Sequence, residues 1–138
     1  MATVGDVQIV TILGSCIAVC LGDRIKQIGG MNHFQMPGDA DNRKEPLRYG
    51  PSATRALLDH VLRLGAKRQR LEAKVFGGAS ILRGGSRHGR GLGSENAAAA
   101  LRTLAALRIP VIASDLGGRR ARKLVYRLED GSVWVRPI

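Results

Sequence analysis

The sequence is poor in aromatic and acidic residues. Five of its 138 residues are Phe, Tyr or Trp, and 11 acidic residues face 22 basic ones, which gives a net charge of +11. The aromatic residues are not interleaved with the basic ones, whereas proteins that stack nucleic-acid bases need such aromatic platforms. The charge therefore indicates an anionic partner such as an acidic protein. We expect no nucleic-acid partner.

Long apolar runs and processing signals are also missing. No stretch of 18 apolar residues occurs, so we expect no membrane insertion. The first residues, MATVGDVQIVTILG, lack the basic start and the cleavage site of a signal peptide. We therefore expect a cytoplasmic protein with reduced thiols. The length is usual for one domain, and no linker or repeat divides it, so a single domain over 1–138 is predicted.

The apolar pattern predicts seven strands and two helices. The predicted strands are 8–13, 16–21, 28–36, 73–76, 111–114, 124–128 and 133–135, and the predicted helices are 51–64 and 95–107. Some strands are separated by helices and others by tight turns. This order indicates an α/β or α+β fold in which helices cover one face of a mainly antiparallel or mixed sheet. Exposed loops are predicted over 38–48 and 83–93.

Each predicted helix has an apolar face and an end signal. In the first helix, Gly65 suits the C-terminal cap. In the second, Ser94 is a good N-cap. The apolar face of the first helix comprises Leu57, Leu58, Val61 and Leu62, and that of the second comprises Ala98, Leu101, Leu104 and Ala105.

Cysteine is scarce: the only two, Cys16 and Cys20, lie four residues apart in LGSCIAVCLGD. Within a strand their Cα atoms would be ~13 Å apart, whereas a disulfide needs less than ~7 Å. The spacings among the cysteines and the three histidines match no zinc motif. We therefore expect no metal and no cofactor.

The two cysteines occupy different local settings. Cys20 lies in the middle of a strand among apolar neighbours and is interpreted as a small buried hydrophobe. Cys16 stands where a loop, Leu13-Gly14-Ser15, leads into a strand. Backbone N–H groups there are not yet committed to a sheet, and Gly14 lets a substrate approach. Cys16 is therefore either a nucleophile with oxyanion donors beside it or a second buried thiol.

A cysteine nucleophile requires a base, and there are three histidines. His60 lies on the polar flank of the first helix and is expected to be solvated. His88 lies in a basic, glycine-rich loop. His33 lies in an extended apolar stretch, GGMNHFQMP, and is either a structural histidine or the favoured base for Cys16.

Several motifs together resemble one known family. TILGSCIAVCLGD followed by GGMNHFQMP resembles the signature of the CheD family, the chemoreceptor glutamine deamidases. Further elements follow in the family's order: Tyr49-Gly50, AKVFGGAS, GLGSEN and DLGGRRARK. The resemblance covers nearly the whole chain.

The resemblance implies a fold and a set of site residues. The implied fold has layered mixed β-sheets flanked by helices and is similar to the catalytic domain of the cytotoxic necrotizing toxins. The implied catalytic residues are Cys16 as the nucleophile, His33 as the base and Thr11 as the third member. The residues expected to contact the substrate are Gly14, Ser15 and Asn32.

The activity implied is conversion of receptor glutamine side chains to glutamate, with release of ammonia, through a thioester on a Cys16 thiolate of lowered pKa. The implied partners are methyl-accepting chemoreceptors and, where one exists, a CheC-type phosphatase. Two alternative functions stay open. One is another cysteine hydrolase, such as a methylesterase or transamidase, which would use the same residues. The other is a non-catalytic chemotaxis adaptor, which would use none of them.

Overall fold

A computed structural model describes residues 1–38, 45–80 and 91–138. This part of the chain contains eight β-strands and two α-helices. The strands are β1 (Ala2–Val4), β2 (Gln8–Leu13), β3 (Ile17–Asp23), β4 (Ile28–Phe34), β5 (Glu72–Gly77), β6 (Val111–Leu116), β7 (Arg122–Arg127) and β8 (Val133–Pro137), and the helices are α1 (Gly50–Arg63) and α2 (Leu92–Ala106).

The strands form two sheets. The larger has the order β1-β4-β3-β5-β6, and the smaller has the order β2-β7-β8. All pairings are antiparallel except that of β5 with β6. Parallel neighbours need a long crossover connection between them. Helix α2 lies between β5 and β6 in the chain and provides this connection, so the two strands run in the same direction.

Strand β3 shows how the layers are arranged, because all seven of its residues are buried. Ile17, Val19 and Leu21 belong to an apolar cluster that includes residues of both helices. Ala18 and Cys20 point to the opposite face and belong to a cluster that includes residues of β2 and β7. Since side chains alternate along a strand, the helices cover one face of the larger sheet and the smaller sheet covers the other.

The mixed α/β class and the division into sheets and helices are confirmed, and two features differ from the sequence prediction. Strand β1 was not predicted, because three residues are too few to show an alternating pattern. The strands also form two sheets, a partition that depends on long-range pairing. Gly65 has φ +113° just after α1, as its predicted place at the helix end requires.

The predicted start of the second helix was wrong. Helix α2 begins at Leu92, after Gly91, and Ser94 is an exposed residue of its first turn with no capping role. The cause lies in Gly93, where an added Cβ would overlap the carbonyl oxygens of Gly78 and Ala79. Because Gly93 has no side chain, the first turn of the helix can pack on the backbone of Gly78 and Ala79. The helix therefore begins about one turn earlier than the predicted N-cap at Ser94 indicates.

The predicted inner face of α2 was also wrong in part. Leu104 is buried as expected, but Leu101 and Ala105 are exposed. The buried residues of α2 are Gly93, Asn96, Ala99, Ala100 and Leu104. The face is set by the close approach at Gly93 and so carries small and polar residues that an apolar pattern does not mark.

The predicted loops over 38–48 and 83–93 fall largely outside the described residues, and so does His88. Within the described residues, neither helix is both long and apolar enough to cross a membrane.

Candidate active site

Cys16 and His33 face the same side of the larger sheet. His33 on β4 pairs directly with Ala18 on β3, and Cys16 lies two residues before Ala18. Residues two apart on a strand share a face, and diagonal neighbours across an antiparallel pair have Cα atoms ~7–8 Å apart. Cys16 also packs against the cluster that contains Ala18 and Met31. The fold therefore places Cys16 and His33 on one face, near the same end of the β3–β4 pair.

The third expected catalytic residue, Thr11, lies on the smaller sheet. Thr11 lies on β2 between the buried residues Ile9 and Leu13, so its side chain faces the larger sheet. Its Oγ1 is 3.0 Å from Nδ1 of His33. The His33 side chain is exposed, so the site opens to solvent where the two sheets meet.

The loop that carries Cys16 is held by hydrogen bonds to three consecutive carbonyl groups. The Gly14 oxygen accepts a hydrogen bond from the Ala79 N–H at 3.0 Å, and the Cys16 oxygen accepts one from the Gly78 N–H at 2.9 Å. Between them, the Ser15 oxygen accepts one from Asn96 Nδ2 at 3.0 Å. The backbone on both sides of the sulfur is thus fixed by hydrogen bonds from the segment after β5 and from α2.

Glycines make this support possible. Gly77 and Gly78 have φ values of +109° and +71°, in the region that favours glycine. A Cβ on Gly77 would overlap the Cys16 carbonyl oxygen. The glycines of the AKVFGGAS segment therefore support the loop that carries Cys16.

The pKa shifts of the two central groups favour a neutral pair. Partial burial raises the pKa of the Cys16 thiol above its ordinary value, and desolvation lowers the pKa of His33. Burial disfavours the charged form of each group. The lowered Cys16 pKa expected from the sequence was wrong for this state of the protein.

Cys20 and His60 have the environments predicted for them. Cys20 is 1% exposed, and burial raises its thiol pKa strongly even though Lys74 acts in the opposite direction. Both cysteines are free thiols. His60 is exposed on α1. Cys16 is therefore the only one of the two thiols that a substrate can reach.

Gly14 and Ser15 lie next to the sulfur, but Asn32 faces the other side of the sheet. Its Oδ1 accepts a hydrogen bond from the Val19 N–H at 2.9 Å, and its Nδ2 donates one to Thr54 Oγ1 on α1 at 3.2 Å. Both ends of the amide thus take part in joining the sheet to the helix. Asn32 also lines a cleft beside the His33 imidazole, and its expected substrate-binding role stays a prediction.

A cleft of about 260 Å³ borders the imidazole. Its lining includes His33 and Met31 from β4 and Ala56, Leu57 and His60 from α1. The cleft provides a mostly apolar wall beside the exposed ring. Within the described residues, no group of three or more His, Cys, Asp or Glu side chains is arranged to hold a metal ion.

Sequence reasoning missed Asn96 as a site residue. It is fully buried on α2, and its Nδ2 donates hydrogen bonds to Ser15 and, at 2.9 Å, to the carbonyl oxygen of Gln35. The signal that could have revealed it is a polar residue in GLGSEN that falls in register with Gly93 and Ala100 on one helix face.

Comparisons with known proteins agree on one family. The family model described as CheD chemotactic sensory transduction matches residues 27–137. A curated protein of Anaeromyxobacter dehalogenans, "Probable chemoreceptor glutamine deamidase CheD 1", is 50% identical over 130 residues, which cover 94% of this chain and 75% of that protein. A protein of the same name from Shewanella oneidensis is 49% identical over 141 residues, 99% of this chain and 68% of that protein.

A third relative, "Probable chemoreceptor glutamine deamidase CheD" of Bordetella petrii, is 44% identical over 133 residues, which cover 95% of this chain and 59% of that protein. The match to the family model spans most of the chain, and the first relative is half identical over three quarters of its own length. The chain therefore belongs to the CheD family.

Proposed function

We propose that this protein is a chemoreceptor glutamine deamidase that uses Cys16 as its nucleophile. The observation that carries the proposal is the placement of Cys16 and His33 on one face of the β3–β4 pair, with Thr11 hydrogen-bonded to the imidazole. Family membership and the names of the relatives supply the substrate class.

The first half of the reaction forms a thioester. His33 takes the proton of the Cys16 thiol as the sulfur attacks the carboxamide carbon of a glutamine side chain. The protonated imidazole then gives that proton to the departing nitrogen, and ammonia leaves. A γ-glutamyl thioester on Cys16 remains. Since the resting pair is neutral, the proton moves during attack and not before it.

The second half of the reaction restores the thiol. Neutral His33 takes a proton from a water molecule as that water attacks the thioester carbon. The C–S bond breaks, the sulfur regains a proton from the imidazolium, and glutamate is released. Thr11 fixes the ring for both halves. When its Oγ1 accepts from Nδ1–H, Nε2 is left as the basic nitrogen.

Three further features belong to the same proposal. The whole chain, 1–138, acts as one catalytic domain with a fold similar to that of the cytotoxic necrotizing toxins, and the layered sheets support this. The protein acts in the cytoplasm, on the helical region of receptors, and its positive charge favours encounter with acidic helices. A CheC-type phosphatase, where one exists, is a regulatory partner.

The deciding experiment is mass spectrometry of a chemoreceptor cytoplasmic fragment after incubation with the protein. Specific glutamines should gain the mass that accompanies replacement of an amide NH₂ by OH, and ammonia should appear in equal amount. Cys16→Ala should abolish both signals. Cys20→Ala is the matched control, because it removes the buried thiol, and it should retain activity.

Other outcomes separate the remaining functions. Methanol release from methylated receptors, without a mass change at glutamines, would indicate a methylesterase that uses the same residues. Unaltered receptor glutamines, together with chemotaxis in cells that is insensitive to Cys16→Ala, would indicate an adaptor and overturn the proposal.

A further inference from the structure

The Asn96 side chain joins the two segments that carry the site. It is fully buried, and its Nδ2 donates at 3.0 Å to the carbonyl oxygen of Ser15 and at 2.9 Å to that of Gln35. Ser15 precedes the nucleophile, and Gln35 lies two residues after His33. Only the NH₂ end of the amide can donate to two carbonyl groups, so the orientation of the side chain is determined.

The amide is held in an unfavourable environment. Among the described residues, no group donates a hydrogen bond to Asn96 Oδ1, although this oxygen is buried. An unpaired buried acceptor destabilises a folded protein, and an apolar side chain at this position of α2 would avoid that penalty. The two donated hydrogen bonds are what an asparagine supplies here and a leucine would not.

The direction of these bonds fixes the neighbouring N–H group. A trans peptide unit is planar, so its C=O and N–H point in nearly opposite directions. The Ser15 carbonyl points to Asn96 on α2, and therefore the Cys16 N–H of the same peptide unit points away from α2. Among the described residues, none accepts a hydrogen bond from this N–H.

The sulfur lies on the same side as this N–H group. The Cys16 side chain packs against the cluster that faces the smaller sheet, on the side of the larger sheet opposite the helices. A carbonyl carbon attacked by Sγ would thus hold its developing negative oxygen on the side to which the Cys16 N–H points. That is the arrangement an oxyanion donor requires.

From these contacts we infer that Asn96 is a positioning residue that orients the Ser15–Cys16 peptide, so that the Cys16 N–H stabilises the oxyanion formed at the attacked carbonyl. The inference rests on the proposed role of Cys16 as the nucleophile. The second bond, to Gln35, holds the end of β4 against the same loop and keeps His33 in register with Cys16.

The test compares two reagents that label Cys16 by different chemistry. Iodoacetamide alkylates the thiolate by displacing iodide at a saturated carbon, so no oxyanion forms. p-Nitrophenyl acetate is attacked at its carbonyl carbon through a tetrahedral oxyanion, after which p-nitrophenolate leaves and an acetyl thioester remains. The ratio of acetylation rate to alkylation rate, corrected with Cys16→Ala, therefore measures oxyanion stabilisation alone.

Asn96→Asp has the shape of asparagine, but an ionised carboxylate donates neither bond and a protonated carboxyl group donates at most one. Any effect of the substitution on thiolate formation cancels in the ratio. We expect the ratio to fall about tenfold or more in this variant. Asn96→Ser keeps one hydroxyl donor in a smaller side chain, and its ratio should lie between those of the wild type and Asn96→Asp. This second variant also serves if the buried carboxylate prevents folding.

The control for general loosening of α2 is Leu104→Ala. Leu104 is fully buried on the same helix and makes neither bond. It should lower the unfolding midpoint and leave the ratio within about twofold of wild type, because the oxyanion donor is untouched. A ratio unchanged in both Asn96 variants, or lowered equally in Leu104→Ala, would overturn the inference.

The receptor assay completes the test. For Asn96→Asp, kcat for deamidation should fall about 10²-fold while KM stays within about twofold, because the donor acts in the transition state. Failure of the wild-type protein to deamidate receptors would remove the proposed function, and the reagent ratio would still decide the role of Asn96.

Discussion

The Thr11 hydroxyl lies 3.0 Å from Nδ1 of His33, and this bond joins the smaller sheet to the larger one at the candidate site. Thr11 belongs to β2 and His33 to β4. The imidazole is exposed, so packing alone does not hold its orientation. The ring direction therefore depends on how the two sheets meet.

Thr11→Val tests this dependence, because valine has nearly the same shape and lacks the hydroxyl. We expect kcat for deamidation to fall by about 10- to 100-fold, since the ring loses its orienting partner and proton transfer depends on its placement. Steady-state kinetics on a receptor fragment would measure this change in kcat. Thr103→Val is the control, because the Thr103 hydroxyl donates a hydrogen bond to the Ala99 oxygen within α2. Equal rates in Thr11→Val and wild type would show that Thr11 has no part in the reaction.

The neutral state of the Cys16–His33 pair predicts a particular pH dependence. Burial raises the pKa of Cys16, so alkylation of the free protein by iodoacetamide should accelerate only above about pH 8.5, the ordinary thiol value. Desolvation lowers the pKa of His33, so the base stays neutral to more acidic pH than an ordinary histidine. Deamidation should accordingly persist below about pH 6.5 and fall only when the imidazole becomes protonated.

An ion pair at rest would behave in the opposite way. It would give rapid alkylation at neutral pH, with an inflection well below the ordinary thiol value, and such a profile would contradict the neutral pair. Cys20 provides an internal control, because it is 1% exposed and burial raises its pKa. Peptide mapping should find label on Cys16 alone until the protein unfolds.

The local pattern of the sequence predicted most strands and singled out Cys16 and His33 as the candidate catalytic pair. Alternation of apolar residues located β2 and β3, and the loop before Cys16 indicated a nucleophile. These features depend on neighbours in the chain. The diagonal placement of Cys16 and His33 follows from the β3–β4 register, which a hairpin of this kind specifies over a short separation.

The features that sequence analysis missed depend on distant contacts. Helix α2 begins at Leu92 because Gly93 packs on the backbone of Gly78, fifteen residues away. Asn96 is a site residue only because α2 crosses the ends of β3 and β4. A polar side chain on a buried helix face is visible in the sequence, but its partners, Ser15 and Gln35, are not.

Gly77 predicts a substitution effect that is specific to the site. An alanine there must adopt φ +109° and must also overlap the Cys16 carbonyl oxygen. Gly5→Ala is a matched control, because Gly5 has φ +100° with no atom within 4 Å of an added Cβ. Gly5→Ala should destabilise the protein by about 1–3 kcal/mol and leave deamidation intact. Gly77→Ala should destabilise it more, and the folded fraction should have lost most activity. Equal activity per folded molecule in the two variants would show that the support of the Cys16 loop by Gly77 has no catalytic importance.

A buried carboxylate at the far end of β3 predicts how stability depends on pH. Asp23 is 1% exposed, and its carboxylate accepts hydrogen bonds from Arg70 Nε at 3.0 Å and from the Lys67 N–H at 2.9 Å. Desolvation acts to raise the pKa of Asp23, but these hydrogen bonds outweigh it and lower the pKa from 3.8 to about 2. The carboxylate therefore stabilises the fold above its ordinary pKa, and this contribution is lost as the pH falls towards 2.

Chemical denaturation at several pH values would measure this contribution. Between about pH 5 and pH 2 the free energy of unfolding should drop by roughly 2 kcal/mol from Asp23 alone. Asp23→Asn should lower stability by about 2 kcal/mol at neutral pH and flatten the acid dependence, because the Arg70 guanidinium, whose side chain is 32% exposed, loses its carboxylate partner. Glu72→Gln is the control: Glu72 pairs with Arg24, whose side chain is 61% exposed, and its loss should change stability by less than about 1 kcal/mol. An Asp23→Asn protein that keeps the wild-type acid profile would show that the lowered pKa of Asp23 is not what couples this fold to pH.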